Sequence, residues 1–417
     1  MIFLKLSEIN KILSGQINED ITFNKIRTSS KEIEKGDLFL AINKGHDYIN
    51  EAIDNGAVAI ICETDIKDIP HIKVKSSIEA LGKIANYLRN KYNIPLIAIT
   101  GSVGKTTTKE LVALVLSKKY KVLKSIKNNN NHIGLPLTLL NLDDTYDVIV
   151  TELGMNHQGE ISYLSKICTP DYAVITNIGT AHIGYLGSQK NILKAKLEIL
   201  DGMNNGCLII NNEDKYLKKL KYKNIIKVDR KNLELKNLKC QDKIEFDIKN
   251  THFIFNSYEH LLIDALIAIK IGILFDIDLN LISEAILEYQ NSEGRLNIIK
   301  NKYTIIDDSY NSSFESLVGG LEILKNKEDF KFIVLGDMLE LGKYSNKYHK
   351  KINKYLKKIN NKQVLLIGKY TKVIKGKHFN DIDKLSDYLK QNIKYNDIIY
   401  IKGSHAMNLD KIKETFN

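Results

Sequence analysis

Residues Thr100 to Thr107 have the types and the spacing that suit phosphate binding. The apolar run PLIAIT comes before them, and KTTTKELVALVL, which has the pattern of a helix, begins at Lys105. Glycines let the backbone turn tightly and bring N–H groups close to phosphate oxygens, while the helix start adds its positive dipole end. Lys105 can reach the β- and γ-phosphates, and Thr106 can place its hydroxyl on Mg²⁺. The residues that make the turn are Gly101, Ser102, Val103 and Gly104.

This loop departs from the standard phosphate-binding pattern G-x-x-x-x-G-K-[ST], because Ile99 occupies the place of the first glycine. The shorter T-G-x-x-G-K-T-T is a variant of that pattern. The alternative is a chance glycine turn before a helix. Because the strand, the loop, the Lys-Thr pair and the helix occur in order, the sequence favours an ATP site.

Polar side chains follow three other strand-like runs. Glu152 ends YDVIVTELG, His182 follows YAVITNIG, and Asp307 and Asp308 follow TII. In a parallel sheet such strand ends meet at one edge, so a carboxylate and an imidazole there could hold Mg²⁺, which prefers oxygen ligands. Taken alone, His182 is interpreted as a surface-loop residue, the aspartates as a turn with an Asx cap, and Lys196 in NILKAKLEIL as a solvated helix residue.

Apolar runs alternate with amphipathic stretches, which predicts βαβ units and parallel sheets. The pattern changes near residue 83 and restarts after Arg295, where TIIDDSYN, KFIVLGDM, QVLLIGKY and DIIYIKGSH resemble strands of a second doubly wound unit. We therefore expect an α/β protein with three domains, at residues 1–82, 83–297 and 298–417. The lysine-rich stretch 214–250 has no clear assignment.

Composition excludes several classes of function. No apolar run approaches the roughly 20 residues that span a bilayer, and the start of the chain lacks a signal-peptide core, so we expect a cytoplasmic protein without membrane insertion. The four cysteines form no C-x-x-C pair, which argues against zinc and disulfides. The net charge of +11 comes from dispersed lysines, which suits an anionic substrate better than nucleic acid.

Nine motifs together resemble the Mur ligase family. The match runs from about residue 26 to residue 410, and the motifs occur in the order TGSVGKTTTKE, NNNNHIGLPLTLL, TELGMNHQGEI, TNIGTAHIGYLGS, AKLEI, GRLN, DDSYN, VLGDMLELG and KGSHAMNLD. The resemblance implies a small α/β domain that binds a UDP precursor, a central parallel-sheet domain of P-loop type that binds ATP, and a Rossmann-like domain that closes over the site. Three motifs favour the members that join D-alanyl-D-alanine to UDP-N-acetylmuramoyl-tripeptide in peptidoglycan synthesis, through an acyl phosphate.

The resemblance also assigns roles to residues. Gly101 to Thr107 would hold the phosphates, Thr106 and Glu152 one Mg²⁺, and His182 a second. Lys196 would be carbamylated, which turns an amine into an anionic oxygen ligand; Lys105, Glu152, His182 and Lys196 thus form the implied catalytic set. The remaining implied contacts are Asp264, Arg295 and Asp308 to ATP, Thr28 and Ser29 to uridine, Asn130 and Asn131 to the muramoyl substrate, and Tyr310 and Asn311 at the closing domain. The protein is expected to act as a monomer.

Three positions depart from the family pattern. TSSK at Thr28–Lys31 replaces T-D-S-R, with Ser29 in place of the aspartate and Lys31 in place of the arginine, so the uridine contacts on either side of Ser30 are expected to differ. Asp264 replaces an asparagine and offers no amide donor, and His405 replaces an arginine and loses a fixed positive charge. These changes affect binding groups rather than the phosphate and metal set, so activity is expected to survive.

Three alternatives remain open from the sequence. A sister ligase would add a single amino acid to a muramoyl precursor, or glutamate to folate. A non-catalytic nucleotide-binding protein could keep the same fold. A nucleic-acid-binding ATPase has only the net charge in its favour.

Overall fold

The computed structural model describes residues 4–241 and 243–416. Three large sheets divide these residues into a first unit (residues 4–92), a central unit (residues 96–288) and a third unit (residues 297–414). Their boundaries along the chain resemble those predicted from sequence, although one helix crosses the first of them, as described below. The domain division itself stays a prediction.

The first unit is a mixed sheet of five short strands with the order β2-β7-β6-β5-β4. Strands β4 to β7 are parallel, and β2 pairs antiparallel with β7. The elements are β1 (Leu4–Lys5), α1 (Leu6–Leu13), β2 (Gln16–Ile17), β3 (Thr22–Phe23), β4 (Ile26–Arg27), β5 (Leu38–Leu40), α2 (Ile49–Asp54), β6 (Ala59–Cys62), β7 (His71–Lys73) and α3 (Ser77–Tyr92).

The central unit contains a parallel sheet of six strands in the order β13-β12-β11-β8-β10-β9. Its apolar runs are buried on both faces, as expected for parallel strands covered by helices. Its elements up to the last parallel strand are β8 (Leu96–Thr100), α4 (Lys105–Leu116), β9 (Val122–Lys124), α5 (Gly134–Leu139), β10 (Val148–Glu152), α6 (Glu160–Cys168), β11 (Tyr172–Ile175), α7 (Ile183–Leu186), α8 (Gln189–Leu197), β12 (Cys207–Asn211) and β13 (Ile225–Val228).

The lysine-rich stretch without a sequence assignment contributes β13 and then a small antiparallel sheet. Burial alternates most clearly in β15, where Ile244, Phe246 and Ile248 are buried and the residues between them are half-buried. This sheet is β14 (Lys236–Cys240), β15 (Ile244–Ile248) and β16 (Thr251–Phe255), and it is followed by α9 (Leu262–Leu274) and α10 (Leu279–Glu288).

The third unit has a six-stranded sheet in the order β17-β18-β22-β19-β20-β21. The four strands predicted from sequence are confirmed and are parallel, while β17 is added antiparallel at one edge. The elements are β17 (Asn297–Lys300), β18 (Thr304–Asp307), α11 (Phe314–Lys325), β19 (Lys331–Leu335), α12 (Ser345–Leu356), β20 (Lys362–Ile367), β21 (Lys377–Phe379), α13 (Ile382–Asn392), β22 (Ile398–Lys402) and α14 (Asp410–Glu414).

The central and third units share one continuous cluster of buried apolar side chains, which includes Ile97 from β8 and Ile333 from β19. The carboxyl ends of β8, β10 and β18 therefore face a common space between the two sheets. None of the described helices is both long and apolar enough to cross a membrane.

Candidate active site

The phosphate loop lies between β8 and α4, and both of its glycines are required by their surroundings. A Cβ atom on Gly101 would lie 1.8 Å from Thr176 Oγ1. Gly104 has a φ of +83° and a Cβ there would lie 2.6 Å from Asp264 Oδ1. Any larger residue at Gly101 would clash, and at Gly104 it would also be strained.

Side chains at the end of β11 hold this loop in place. Asn177 accepts a hydrogen bond from the backbone N–H of Val103 (3.0 Å) and donates one to its carbonyl (2.8 Å), and Thr176 also donates to that carbonyl (2.6 Å). Ser102 Oγ is buried and has no hydrogen-bond partner within the described residues. Because a buried hydroxyl without a partner is costly, this orphaned group suits an oxygen-rich ligand.

Glu152, at the end of β10, links the loop to the asparagine-rich segment. Its carboxylate accepts hydrogen bonds from Thr106 Oγ1 (2.7 Å) and from Asn130 Nδ2 (2.8 Å), and it is only 2% exposed. Asn131 accepts hydrogen bonds from the backbone N–H groups of Ile133 and Gly134, and so holds the start of α5. The hydroxyl and carboxylate predicted to bind Mg²⁺ are therefore adjacent.

Two lysines lie on this side of the cavity, and of these Lys105 is half-buried while Lys196 is buried. Lys105 Nζ donates to the carbonyl of Gly101 (3.1 Å), and burial lowers the pKa of Lys105 although Glu152 opposes the shift. Lys196 is 1% exposed, so its interpretation as a solvated residue is wrong. Burial, followed by the charge of Lys105, lowers the pKa of Lys196 well below its ordinary value. The side-chain amine of Lys196 makes no hydrogen bond or ion pair within the described part of the chain.

His182 lies at the contact between the central and third units, not on a free surface loop as its position alone suggested. Its Nδ1 atom is 2.8 Å from Glu340 Oε2, an ion-pair contact whose geometry falls short of a hydrogen bond. Contact with the His182 ring is the main cause that lowers the pKa of Glu340, with a smaller contribution from Lys105. Glu340 was missed in the sequence, although it lies in the VLGDMLELG motif.

The third unit contributes a buried ion pair. Asp308 Oδ2 lies 2.6 Å from Lys402 Nζ and accepts a hydrogen bond from Tyr400 (3.0 Å). Burial raises the pKa of Asp308, and Lys402 opposes the shift. Arg295 stacks over the ring of Tyr310, with its Cζ atom 4.0 Å from the ring centroid. Lys402 was also missed, because a lysine at the end of a strand does not indicate a site until its partner is known.

These groups surround one cavity of about 750 Å³ between the central and third units. Most residues that the sequence assigned to the site line it: Ser102, Val103, Gly104, Lys105, Thr106, Thr107, Asn130, Asn131, Glu152, His182, Arg295, Asp308, Tyr310 and Asn311. Glu340, Lys402, His260 and the orphaned hydroxyl of Ser312 line it as well. The ring of His405 lies 5.7 Å from that of Tyr310, at the cavity margin.

Five assigned residues do not line this cavity. Gly101 and Lys196 lie behind its wall, and Asp264 is buried beneath the loop, where it accepts a hydrogen bond from Thr108 (2.9 Å). Thr28 and Ser29 follow β4 in the first unit. The adenine and uridine contacts assigned to these positions stay predictions.

Comparison with known proteins identifies the family. The Mur ligase middle domain matches residues 99–274, and the Mur ligase, glutamate ligase domain matches residues 294–405. Relatives named UDP-N-acetylmuramoyl-tripeptide--D-alanyl-D-alanine ligase include that of Buchnera aphidicola, which is 35% identical over 99% of this chain and 98% of its own length. The ligase of Escherichia coli is 30% identical, with 99% and 98% covered.

Solved structures agree with the sequence relatives. MurF from Acinetobacter baumannii superposes with a TM-score of 0.88 at 26% identity, covering 99% of this chain and 98% of that one. MurF ligase from Thermotoga maritima, solved in complex with ADP, gives a TM-score of 0.84 at 28% identity, with 94% and 97% covered. The motifs, the fold and these full-length similarities lead to one conclusion: the chain belongs to the Mur ligase family.

Proposed function

We propose that this chain is an ATP-dependent ligase that joins D-alanyl-D-alanine to the terminal carboxylate of UDP-N-acetylmuramoyl-tripeptide, giving the pentapeptide precursor of peptidoglycan. The observation that carries the proposal is the single cavity in which the phosphate loop faces the buried Asp308–Lys402 pair of the third unit. Full-length relatives named for this activity support the choice of substrates. The ADP in the Thermotoga maritima structure supports ATP as the nucleotide.

The chemistry accounts for the use of ATP. A carboxylate is a poor acceptor for an amine, because an oxide anion is a poor leaving group. Attack of the carboxylate oxygen on the γ-phosphorus forms an acyl phosphate and releases ADP. The dipeptide amine then attacks the acyl carbon, phosphate leaves, and the amine loses its extra proton as the amide forms.

Positioning and charge neutralisation dominate catalysis of phosphoryl transfer. Lys105 and the backbone N–H groups of the loop would neutralise the phosphates, while the enclosed cavity would keep water from the acyl phosphate. Thr106 and Glu152 would hold one Mg²⁺ and His182 a second, and these ions would supply further positive charge when bound. Phosphate oxygens and waters would complete the coordination, since Mg²⁺ in proteins is usually held by one or two carboxylates together with substrate phosphates and water.

We also propose that Lys196 is carbamylated. An amine reacts with carbon dioxide only in its neutral form, which the burial of Lys196 beside Lys105 favours. The carbamate would add an anionic oxygen near Glu152. Carbamylation can be measured by ¹³C NMR after equilibration with labelled bicarbonate: Lys196→Ala should lose the carbamate signal and turnover, whereas Lys194→Ala, which changes an exposed residue on the same helix, should keep both. Full turnover of Lys196→Ala would refute the proposal.

The substrates can be tested by following ADP release from purified enzyme, ATP and UDP-N-acetylmuramoyl-tripeptide. We expect release with D-alanyl-D-alanine and not with single amino acids. The reverse result would identify a sister ligase, and no release with either would favour a non-catalytic nucleotide-binding protein. Tripeptides containing lysine or diaminopimelate at the third position would define the preferred precursor.

Three further expectations belong to this proposal. The three units would act as a UDP-precursor-binding domain, an ATP-binding domain and a closing domain. The enzyme would be a cytoplasmic monomer. Thr28 and Ser29 would contact uridine and Asp264 would lie close to adenine.

A further inference from the structure

One segment lies between the phosphate loop and the third unit. Residues 176–182 follow β11 and hold the backbone of Val103 through Thr176 and Asn177, and the carbonyl of Asn177 accepts a hydrogen bond from the N–H of Ser102 (3.1 Å). On its other side, the same segment meets the first turn of α11. A movement of this segment would therefore shift the backbone of the phosphate loop directly.

The contact with α11 is made by a carboxylate. Glu315 Oε2 accepts hydrogen bonds from both the backbone N–H (3.0 Å) and the hydroxyl (2.8 Å) of Thr180, which is 2% exposed. Next to it, a Cβ on Gly179 would lie 2.8 Å from Glu315 Oε2 and 3.1 Å from Ser102 Cβ. The missing side chain of Gly179 thus lets Glu315 and the phosphate loop approach the segment from opposite sides.

Glu315 is not needed to begin its own helix. The start of α11 is capped by Ser313 and Ser316, whose side chains and backbone N–H groups bond each other reciprocally. The carboxylate of Glu315 is therefore available to accept hydrogen bonds from the central unit. Hydrogen bonds to an ionised acceptor are among the stronger ones in proteins.

We propose that Glu315 is a positioning residue for nucleotide binding, acting through Thr180 and the 176–182 segment on Ser102 and Val103. The inference rests on the proposed function only in requiring that the loop binds a nucleotide. Docking of the third unit would thus fix the loop in the arrangement that holds phosphates.

The test measures ADP binding to the full-length enzyme by calorimetry. Glu315→Ala should weaken ADP binding about tenfold, since two charge-assisted hydrogen bonds are lost. Glu315→Gln should keep most of the affinity, because its amide oxygen can still accept both bonds. Glu322→Ala is the matched control, since Glu322 lies on the same helix and pairs with Lys325 and Lys358 at the surface.

Coupling is tested by a double-mutant cycle with Thr180→Val, which removes the hydroxyl but keeps the N–H. Alone, this change should weaken ADP binding about threefold, and added to Glu315→Ala it should cost nothing more. If Glu315→Ala proves too unstable to purify, Thr180→Val and Glu315→Gln still test the contact, and a normal ADP affinity of Thr180→Val would refute the proposal.

Equal ADP affinity of Glu315→Ala and Glu322→Ala, or additive effects in the cycle, would also overturn it. The KM for D-alanyl-D-alanine should remain unchanged, which a general loss of structure would not allow. Failure of the wild type to release ADP in the ligase assay would refute the proposed function and leave the binding result intact.

Discussion

At the residue scale, Asp264 shows what a single change of side-chain type does beneath the phosphate loop. Its carboxyl group is buried against Gly104 and bonds Thr108, and no cation faces it within the described residues. Burial raises the pKa of Asp264 to about 8, and the hydrogen bond from Thr108 offsets this only in part. The acid is therefore largely neutral in the folded protein near pH 7.

This pKa predicts a dependence of stability on pH. Between the ordinary pKa of 3.8 and about 8, the unfolded chain has lost the proton that the folded chain keeps, so this residue makes the protein less stable as the pH rises. Asp264→Asn should therefore gain melting temperature over wild type by a few degrees, and the gain should grow between about pH 5 and pH 8. Asp276→Asn, an exposed position beyond the same helix, should show no such trend. A gain that does not change with pH would contradict the assignment.

The residue scale also shows how far sequence reasoning reaches. Glu152 and Asp308 could be selected because a polar residue after an apolar run lies at a sheet edge. The burial of Lys196 could not be derived from its helix, because a lysine at that position is normally solvated. Glu340 and Glu315 could not be predicted, because their places in the site depend on contacts between units that are far apart in the chain. No local sequence pattern indicates such contacts.

At the element scale, the asparagine-rich segment after β9 is held by a buried lysine. Lys109 is fully buried on α4, and its Nζ donates to the carbonyls of Ser125 (2.7 Å) and Lys127 (3.1 Å) and pairs with Glu110 (2.9 Å). The segment then reaches Asn130, which bonds Glu152. One helix therefore carries both the start of the phosphate site and the support for the predicted muramoyl contacts.

Lys109→Met keeps the apolar length of the side chain but removes the donor from the buried carbonyl of Ser125 and the part-buried carbonyl of Lys127. We expect the KM for the UDP-tripeptide to rise about tenfold, with a smaller change in the KM for ATP. Steady-state kinetics with each substrate varied would show the split. Lys118→Met, just beyond the end of α4, is the control because Lys118 pairs with the surface glutamates Glu284 and Glu288. Equal increases of both KM values would mean that Lys109 acts on the whole site.

At the scale of the whole molecule, the central and third units meet backbone to backbone at Gly184. The N–H of Gly184 donates to the carbonyl of Glu340 (2.8 Å), and a Cβ on Gly184 would lie 2.6 Å from that oxygen. Tyr344 adds a hydrogen bond to the carbonyl of Gly187 (2.8 Å). Position 184 therefore requires glycine because of its contact with the third unit, and it requires glycine only when the two units are docked.

Gly184→Ala should therefore obstruct docking while leaving the central unit folded. We expect ADP binding to weaken about tenfold, as in Glu315→Ala, because an undocked third unit cannot bring Glu315 to Thr180. Turnover should fall about tenfold or more, and the radius of gyration with substrates present should exceed that of the wild type. Small-angle scattering and the ligase assay measure these effects. Lys190→Ala, an exposed change in the next helix, should behave as wild type. Normal turnover in Gly184→Ala would show that the units need not meet this closely.

The helix α3 joins the first and central units more firmly than a linker would. Leu81 and Leu88 pack into the core of the first unit, whereas Ala85 belongs to the core shared by the other two. Arg89, 3% exposed, pairs with Asp171 at 2.7 Å and donates to the carbonyl of Cys168.

Unfolding of the first unit would remove about half of the packing of α3. The helix that carries Arg89 would then be unstable. Denaturation should then proceed as one cooperative transition for these two units, without a populated form in which the first unit is unfolded and the central unit is intact. A protease would accordingly find no early cleavage site between residues 77 and 92. Helix α3 lies between the first and central units in the sequence, and its packing makes the stability of each unit depend on the other.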